Sequence, residues 1–285
     1  MRWGVEKRLT FIEFRLFWEG GINRADIIGQ FGVSVPQASK DLRLYADKAP
    51  ANLVYDKSAK RYLAGSEFTP VFLRPDSNSY LTQLQSEPTP GGTTQETWLS
   101  SVPDFGVMPI PHRRIDAYIL RPIVAAVRNN RCLEIRYQSM NPSRPLPLWR
   151  RITPHAFGND GLRWHVRAFC HIDRKFKDFI LSRCLNVRSE SKPGTHPETD
   201  TYWVETFDVT LVPNPLLNED QRKVIARDYR MEKGRVSIPV RKALLYYFQK
   251  RLRLDVSDEL DEPYETPIVV SNRVEFDAAL REAML

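Results

Sequence analysis

Cysteine is scarce in this chain. Three cysteines, Cys132, Cys170 and Cys184, occur in 285 residues, and no two of them have the CxxC spacing. An odd number rules out complete pairing into disulfides, and a structural zinc site needs closely spaced ligand pairs that this sequence lacks. Because each cysteine lies in an apolar run, we expect three small, buried side chains.

Enzyme motifs are also missing. The sequence contains no Gly-rich phosphate loop, no Walker or HExxH pattern and no nucleophile motif. Its histidines are scattered along the chain: His112, His155, His165, His171 and His196. We therefore expect a protein that is not an enzyme and that binds no metal and no cofactor.

Long hydrophobic runs are absent as well. No apolar run approaches the roughly 20 residues that a membrane span needs, and the N-terminus lacks the apolar region of a signal peptide. We expect no membrane partner and a cytoplasmic, nucleoid-associated location. The hydrophobic share of 42% and the charged share of 27% are those of an ordinary folded protein, and 285 residues allow two or three domains.

What the chain does have is positive charge in two places. Within a net charge of +7, residues 1–66 carry 11 Lys or Arg against 7 Asp or Glu, and residues 130–190 carry 12 against 5. Residues 67–129 and 191–285 are slightly acidic. Because a basic balance favours polyanionic partners, the two basic segments suggest two anionic ligands.

The first basic segment has the pattern of three short helices. One is predicted over residues 5–19, and a second begins after the N-cap Asn23 and ends before Gly32. A third follows Ser34, which with Gln37 predicts a capping box. The apolar side of this third helix should turn inward: Val35, Ala38, Leu42 and Tyr45.

After these helices, NLVYDKSAKRYLA reads as strand, turn and strand, which completes a winged helix-turn-helix. Polar side chains of the third helix would meet base edges of double-stranded DNA, and the cations of the wing would meet phosphates. The predicted DNA-contacting residues are Ser34, Gln37, Ser39, Lys40, Arg43, Lys57, Lys60 and Arg61. The alternative is a helical protein-interaction module whose charges are only solvated.

Residues 67–129 predict a linker with helices. A short strand and a helix are expected over residues 67–85, and the five Pro and three Gly of residues 86–113 indicate a connector. Helical spacing then returns over residues 115–129. Pro122 interrupts it, which predicts a kink or a helix start near Arg121.

From Cys132 onward the pattern changes to short strands. Asn159-Asp160-Gly161 is a tight-turn signal between two of them, and several antiparallel strands in so short a segment suggest a bent sheet or a barrel. In GLRWHVRAFCH, one side of the strand is expected to face the core: Trp164, Val166, Ala168 and Cys170. The other side carries His165, Arg167, Phe169 and His171.

Alternate residues of the neighbouring strands extend this second side. We assign to it Ile135, Tyr137 and Ser139, then Arg151, Thr153 and His155, then Lys177, Phe179, Leu181 and Arg183. Arg binds phosphate through two parallel hydrogen bonds, and aromatic rings stack on bases, so this face predicts a pocket for an anion and a base. The alternatives are a second DNA- or protein-contact surface, or salt bridges with the linker helices.

The stretch RITPHAFGNDGLRWHVRAFCHIDRKFKDFILSR resembles the WYL domain, an Sm-like SH3-type barrel fused to winged helix-turn-helix domains in bacterial transcription regulators. SVPQASKDLRLYADKAPANLVYDKSAKRYLA is similar to the N-terminal pattern of the BrxR/CapW-type repressors of phage-defence islands. The resemblance implies an α+β multidomain fold: a winged helix-turn-helix at 1–66, a WYL barrel at 130–192 and a C-terminal α+β dimerisation domain at 200–285.

The Trp-Tyr-Leu that names the WYL domain reads Trp164-His165-Val166 here, so His165 replaces the Tyr. The ligand-binding residues that the resemblance and the face pattern together imply are Tyr137, Ser139, Arg151, His155, His165, Arg167, Phe169 and Arg183.

The leading hypothesis is a homodimeric repressor of a phage-defence operon that binds an inverted-repeat operator. A nucleotide or oligonucleotide at the WYL domain would release it from DNA, which requires the ligand to prefer the non-DNA-binding state. Two alternatives stay open. One is an activator of the same build that responds to single-stranded DNA during damage, and the other is an adaptor whose winged helix contacts proteins.

Overall fold

A computed structural model describes residues 3–85, 97–111, 113–191, 195–256 and 262–284. The chain divides into two units, unit 1 (Met1–Pro109) and unit 2 (Ile110–Leu285). In those described ranges no helix is both long and apolar enough to cross a membrane.

Unit 1 begins with helices and a small sheet. Its elements are α1 (Trp3–Glu19), β1 (Gly21–Ile22), α2 (Arg24–Phe31), α3 (Val35–Lys48), β2 (Leu53–Asp56) and β3 (Arg61–Ala64). β3 lies between β1 and β2 and pairs antiparallel with both. The predicted helices and the wing, which is the β2–β3 hairpin, are confirmed.

The helix starts follow their caps. Asn23 and Asp26 form a capping box at the start of α2, where each side chain accepts from the other residue's backbone N–H. At α3 only half of the predicted box forms. Ser34 accepts from the Gln37 N–H, but the Gln37 side chain donates to Asp41 instead of returning to the cap.

The core of unit 1 lies where the three helices meet. Its buried residues are Leu9, Phe11, Ile12, Leu16, Ile22, Ile27, Ala38, Leu42, Tyr45 and Ala49. The prediction that Val35 also faces inward is wrong, since Val35 is 56% exposed. It occupies the first helical position of α3, one turn beyond the apolar residues that the other helices cover.

A buried carboxylate connects the segment after the wing to α1. Glu13 is fully buried and accepts hydrogen bonds from the Tyr45 hydroxyl and from the backbone N–H groups of Val71, Phe72 and Leu73, at 2.5 to 2.9 Å. Burial raises the pKa of the Tyr45 hydroxyl, which keeps it a donor. Four donors therefore depend on one side chain.

Beyond this connection the chain packs again on α1. α4 (Ser77–Gln85) forms where a helix was predicted, and Leu84 and Leu99 are buried against Phe14. The strand expected before it is not present, and residues 67–76 follow an irregular path instead.

Unit 2 begins with α5 (Ala117–Asn129), which Asp116 caps. The helix starts at Ala117 rather than near Arg121, and Pro122 lies inside it. Pro122 leaves the Tyr118 carbonyl without its usual intrahelical donor. Tyr118 lies in the exposed first turn, where water can pair with that carbonyl.

A five-stranded antiparallel sheet follows α5. Its strands are β4 (Cys132–Tyr137), β5 (Leu148–Asn159), β6 (Trp164–Cys170), β7 (Lys175–Ile180) and β8 (Cys184–Ser191). Their order is β7-β6-β5-β4-β8. In the described part of the chain no ladder joins the edge strands β7 and β8, so closure into a barrel stays a prediction.

One face of this sheet packs against α5 and forms a core. Its buried residues are Ile123, Ala126, Leu133, Ile135, Tyr137, Ile152, Val166, Ala168, Cys170, Phe179, Leu181 and Cys184. All three cysteines are buried and none forms a disulfide, as their apolar surroundings predict.

The C-terminal part of unit 2 alternates helices and strands, in agreement with the α+β domain that the resemblance implies. Its elements are α6 (Thr201–Val204), β9 (Thr206–Pro213), α7 (Glu219–Asp228), β10 (Val236–Arg241), α8 (Leu245–Arg251), β11 (Ile268–Val270) and α9 (Arg273–Met284). The strands form an antiparallel sheet in the order β10-β9-β11. Val209, Leu211, Leu245, Leu254 and Phe276 lie in its core.

Replacing Glu13 by Ala should lower the free energy of unfolding of unit 1 by about 3 kcal/mol or more, because each buried donor left without an acceptor costs about 1–3 kcal/mol. Glu13→Gln keeps one acceptor oxygen and should lose less. Urea unfolding followed by tryptophan fluorescence measures both. Glu6→Ala, at an exposed position of α1, is the control, and equal midpoints for Glu13→Ala and Glu6→Ala would contradict this account.

Candidate functional site

A groove of about 450 Å³ lies between α3 and the wing of unit 1. We call it the α3–wing groove. Three of the predicted DNA-contacting residues line it, namely Ser39, Arg43 and Lys60. Arg24 and Tyr55 line it too and were not predicted. The position of Arg24 could have revealed it, since the first helix of a helix-turn-helix crosses the DNA backbone.

Other predicted DNA contacts have partners inside unit 1. The Gln37 amide donates to Asp41 at 2.8 Å, and Asp41 also accepts from Arg8 at 2.6 Å. Ser34 caps α3, and the Ser39 hydroxyl accepts from Arg24 at 3.4 Å.

The predicted cations differ in exposure. Lys40, Lys57 and Lys60 are exposed. Arg61 is half-buried and lies across Gly21, where an added Cβ would come within 2.7 Å of the guanidinium. Arg61 therefore contacts its own domain, whereas the exposed lysines can reach a phosphate.

The second candidate site is on unit 2, on the sheet face opposite α5. Cross-strand pairing places Arg151 beside Glu134, Phe169 beside Thr153, and Arg167 beside Asp178. The structure thus brings several predicted ligand-binding residues to this face: Arg151, His155, His165, Arg167 and Phe169. His155 lies at a break in the β5–β6 register, between Pro154 and Ala156.

The other predicted ligand-binding residues do not lie with them. Tyr137 belongs to the core face: it is 8% exposed, its hydroxyl accepts from the Ile180 N–H at 3.3 Å, and burial raises its pKa. The prediction that it shares a face with Arg167 is therefore wrong, because the polar residues Glu134 and Arg136 occupy that face of β4. Arg183 lies beside the Tyr137 hydroxyl, and Ser139 lies beyond the end of β4.

Further face assignments need correction. Ile135 and Leu181, also assigned to the ligand-binding side, are buried in the core. Phe179 pairs with Val166 in the core, so Asp178 and not Phe179 lies beside Arg167. Trp164, expected in the core, is 52% exposed because it starts β6 at the edge of the packed region.

Arg167 is the centre of a buried ionic network. It is 5% exposed, its Nε and Nη2 donate to Asp200 at 2.8 and 3.0 Å, and its Nη1 lies 3.4 Å from Asp178. Asp200 is also 2.9 Å from His155 Nε2, and the Tyr247 hydroxyl donates to Asp178 at 3.3 Å. We call these five residues the Arg167 network. It connects the sheet to the C-terminal part of unit 2.

The two carboxylates of the network have opposite pKa directions. Burial raises the pKa of Asp178 above its ordinary value, although Arg167 opposes the change. Burial also acts on Asp200, but hydrogen bonds from His155 and Arg167 outweigh it and hold the pKa of Asp200 low. Asp200 is therefore ionised at neutral pH.

His165, at the position of the motif Tyr, is 2% exposed. Its Nε2 lies 3.1 Å from Asp160 Oδ2, and its ring lies 4.8 Å from the ring of Tyr247. Its Nδ1 is buried and has no hydrogen-bond partner in the described part of the chain. Asp160 also accepts from Arg163 at 2.8 Å, so His165 contributes to the β5–β6 turn.

A cleft of about 500 Å³ opens beside Arg167 and Phe169. We call it the Arg167 cleft. Lys177, which the sequence pattern assigned to the ligand-binding face, lines the cleft as well. Other lining residues were not predicted, and they include Arg174, Lys175, Phe176, Thr199, Thr201, Tyr202 and Tyr247. The segment HIDRKFK carried a signal for part of this wall, since three cations and an aromatic residue directly follow β6.

An aromatic–cation pair occupies the exposed end of this sheet face that lies away from the Arg167 cleft. The Arg188 guanidinium lies 3.9 Å from the ring centre of Trp149 and donates to Glu134 at 3.0 Å. Arg151 and Arg136 are exposed nearby on the same face. Across the ranges that the structure describes, no group of three His, Cys, Asp or Glu side chains could hold a metal ion.

Three family models match the chain. The BrxR transcriptional regulator winged helix-turn-helix domain matches residues 4–86, the WYL domain matches residues 118–189, and the BrxR transcriptional regulator C-terminal dimerization domain matches residues 206–276. Together they define a winged-helix protein that carries a WYL domain and a C-terminal dimerisation domain.

Full-length relatives narrow this class. A DNA-binding transcriptional repressor CapW of Stenotrophomonas maltophilia is 39% identical over 99% of this chain and 94% of that protein. CapW of Escherichia coli (strain KTE188) is 36% identical over 99% of this chain and 93% of that protein. CapW of Pseudomonas aeruginosa is 36% identical over 96% of this chain and 91% of that protein. The chain belongs to the BrxR/CapW family of WYL-domain proteins.

One solved structure, the proteasome accessory factor PafBC of Arthrobacter aurescens, aligns with 97% of this chain and 49% of that chain, at 18% identity and a TM-score of 0.26. This chain thus spans about half of that one, and the likeness is too weak to indicate a shared arrangement.

Asp160→Asn should destabilise unit 2 by about 2 kcal/mol at neutral pH. Although burial opposes it, hydrogen bonds from Arg163 and its neighbours lower the pKa of Asp160 from 3.8 to about 2. The ionised carboxylate therefore stabilises the fold above its ordinary pKa, and this contribution is lost as pH falls from about 4 toward 2. Urea unfolding should show the difference from wild type shrinking over that window.

Asp208→Asn, at an exposed position of β9, is the control for that measurement. A pH-independent difference between Asp160→Asn and wild type would contradict the proposed role of the ionised carboxylate.

Proposed function

We propose that this protein is a homodimeric, sequence-specific DNA-binding transcriptional repressor and not an enzyme. The observation that carries the proposal is the α3–wing groove, with Arg24, Arg43 and Lys60 along it, in a chain whose full-length relatives are named DNA-binding transcriptional repressors. An α-helix fits the major groove of DNA, and wing cations reach the adjacent phosphates.

The operator is an inverted repeat. A dimer with two-fold symmetry presents two α3 helices, so its half-sites lie one helical turn of DNA or a multiple apart, with each turn about 34–36 Å. The controlled genes are a phage-defence operon, and the protein acts in the cytoplasm on the nucleoid.

A nucleic-acid-derived ligand controls release from the operator by binding to the WYL domain. The support is the basic balance of residues 130–190 and the sheet face that carries Arg151, Arg167 and Phe169. Arg and aromatic side chains together suit a phosphate joined to a base. Release requires that the ligand bind the non-DNA-binding state more tightly than the DNA-binding state.

Arg43→Ala should weaken operator binding roughly 10- to 100-fold, since a good base contact contributes about 1–3 kcal/mol. Lys60→Ala should weaken binding on all sequences and reduce the salt dependence by about one phosphate contact. Fluorescence anisotropy with the upstream intergenic DNA, over a series of salt concentrations, measures both effects. Arg128→Ala, at an exposed position of α5 in unit 2, is the control.

If Arg43→Ala and Arg128→Ala bind the upstream DNA equally well, α3 is not the recognition helix. A reporter gene under the same promoter tests the sign of regulation. Expression should rise when the gene for this protein is deleted, and a fall would favour the activator.

We assign the contact between the two protomers to α7. The structure buries none of the α7 residues, Val224 is 48% exposed and the preceding Leu216 is 67% exposed. An apolar groove of about 680 Å³, lined by Val212, Pro213 and Val269 among others, lies beside this helix. Because the matched dimerisation domain spans residues 206–276, a second copy of the chain is the partner that this surface fits.

Val224→Glu should convert the dimer to a monomer in sedimentation velocity, because the carboxylate would have to be buried in the contact. Val274→Glu is the control, since Val274 is 78% exposed on α9. Circular dichroism confirms that both variants fold. A folded Val224→Glu dimer with wild-type affinity would exclude α7 from the contact.

A further inference from the structure

The Arg167 cleft has the size and the walls of a small-ligand site. Its volume of about 500 Å³ falls within the usual 300–1,000 Å³ of ligand pockets. Phe169 and Phe176 form an aromatic wall, with ring centres 5.4 Å apart. Arg174 and Lys175 are exposed at its edge, and Arg167 lies in its interior. An anionic group and a flat ring would each find a complementary surface here.

We propose that the Arg167 cleft binds a nucleoside monophosphate, free or as the 5′ end of an oligonucleotide, and that its phosphate replaces Asp200 as the partner of Arg167. This rests on the proposed function, because it identifies where and how the nucleic-acid-derived ligand acts. The base packs on Phe169 and Phe176, and the phosphate enters past Arg174 and Lys175.

The exchange follows from the burial of Arg167. A buried guanidinium without an anion is strongly destabilised, so Arg167 needs a partner in every state of the protein. Phosphate can take this place, since it accepts two parallel hydrogen bonds from Arg just as a carboxylate does. The present partners would repel an arriving phosphate, so one of them must give way.

Asp200 is the partner that can move. Asp178 lies on β7, where its backbone is paired directly with Arg167 of β6. Asp200 lies instead in the short connection before α6. Within the described ranges, the hydrogen bonds that hold it to the sheet are side-chain bonds from Arg167 and His155. Burial also raises the pKa of Asp178, which lowers the charge that a phosphate would meet at that side.

The displacement of Asp200 affects the dimerisation domain because α6 joins the two. The Asp200 carbonyl accepts from the backbone N–H groups of Trp203 and Val204, so α6 begins at this residue. The Trp203 carbonyl in turn accepts from Arg241 at the end of β10, and the backbone N–H of Lys242 donates to Glu205. A ligand that releases Asp200 therefore loosens the connection between the sheet and the C-terminal part of unit 2.

The first test is ligand binding by isothermal titration calorimetry, with the full-length dimer and three probes: dAMP, a 5′-phosphorylated DNA hexamer and adenosine. We expect dAMP or the hexamer to bind and adenosine, which lacks the phosphate, to bind at least 10-fold more weakly. The double variant Arg174→Ala/Lys175→Ala should lose at least 10-fold in affinity for the phosphorylated probe. The control Lys233→Ala/Arg235→Ala, at exposed positions before β10, should bind as wild type does.

The second test is operator affinity by anisotropy. Saturating phosphorylated probe should weaken operator binding of the wild type at least 10-fold. Asp200→Asn removes the carboxylate that accepts two hydrogen bonds from Arg167 and leaves Asp178 as its remaining acidic partner. This variant should bind operator at least 10-fold more weakly without any probe and bind the probe at least as tightly as wild type. Asp208→Asn, exposed on β9, is the control, and circular dichroism checks the fold of each variant.

The results separate the two proposals. The site is overturned if neither phosphorylated probe binds, or if Arg174→Ala/Lys175→Ala binds it as tightly as its control does. The exchange is overturned if the probe binds while operator affinity is unchanged, or if folded Asp200→Asn binds operator as wild type does. Failure of the wild type to bind any operator DNA overturns the proposed function alone, since calorimetry still tests the cleft.

Discussion

The pairing of Arg167 with Asp178 and Asp200 is the interaction on which unit 2 depends. A buried cation is strongly unfavourable unless anions surround it, and here one carboxylate comes from the sheet and the other from the connection to the C-terminal part. Asp200 also binds His155, and Asp178 also binds Tyr247 of α8. The packing of α6 and α8 against the sheet therefore depends on how one guanidinium is paired.

Unit 1 contains a buried charge of the opposite sign. Glu13 accepts from the Tyr45 hydroxyl and from three consecutive backbone N–H groups, beginning at Val71. Backbone donors cannot leave without unfolding the segment that carries them, so a solute cannot take their place. Asp200 binds Arg167 through its side chain alone, and another anion can take its place. The first contact is therefore permanent, whereas the second is exchangeable.

The parts of the fold that sequence predicted well are those set by neighbouring residues. The helices of unit 1 follow caps such as Asn23, and α5 follows the helical spacing of its apolar residues. The strand faces were predicted less well, because the register break at His155 and the amphipathic ring of Tyr137 leave the phase ambiguous. The partner of Arg167 could not be predicted, since Asp200 is 33 residues away and only tertiary packing brings it close.

His165 occupies the position of the motif Tyr and has no hydroxyl, and the hydroxyl near Asp178 comes from another part of the molecule. His165 binds Asp160 in the adjacent turn, and the hydroxyl that donates to Asp178 belongs to Tyr247 of α8. The C-terminal part is thus a wall of the Arg167 cleft. A solute in the cleft contacts the sheet and the dimerisation domain at once. Such shared contact is the condition under which binding can change how two parts of a protein pack.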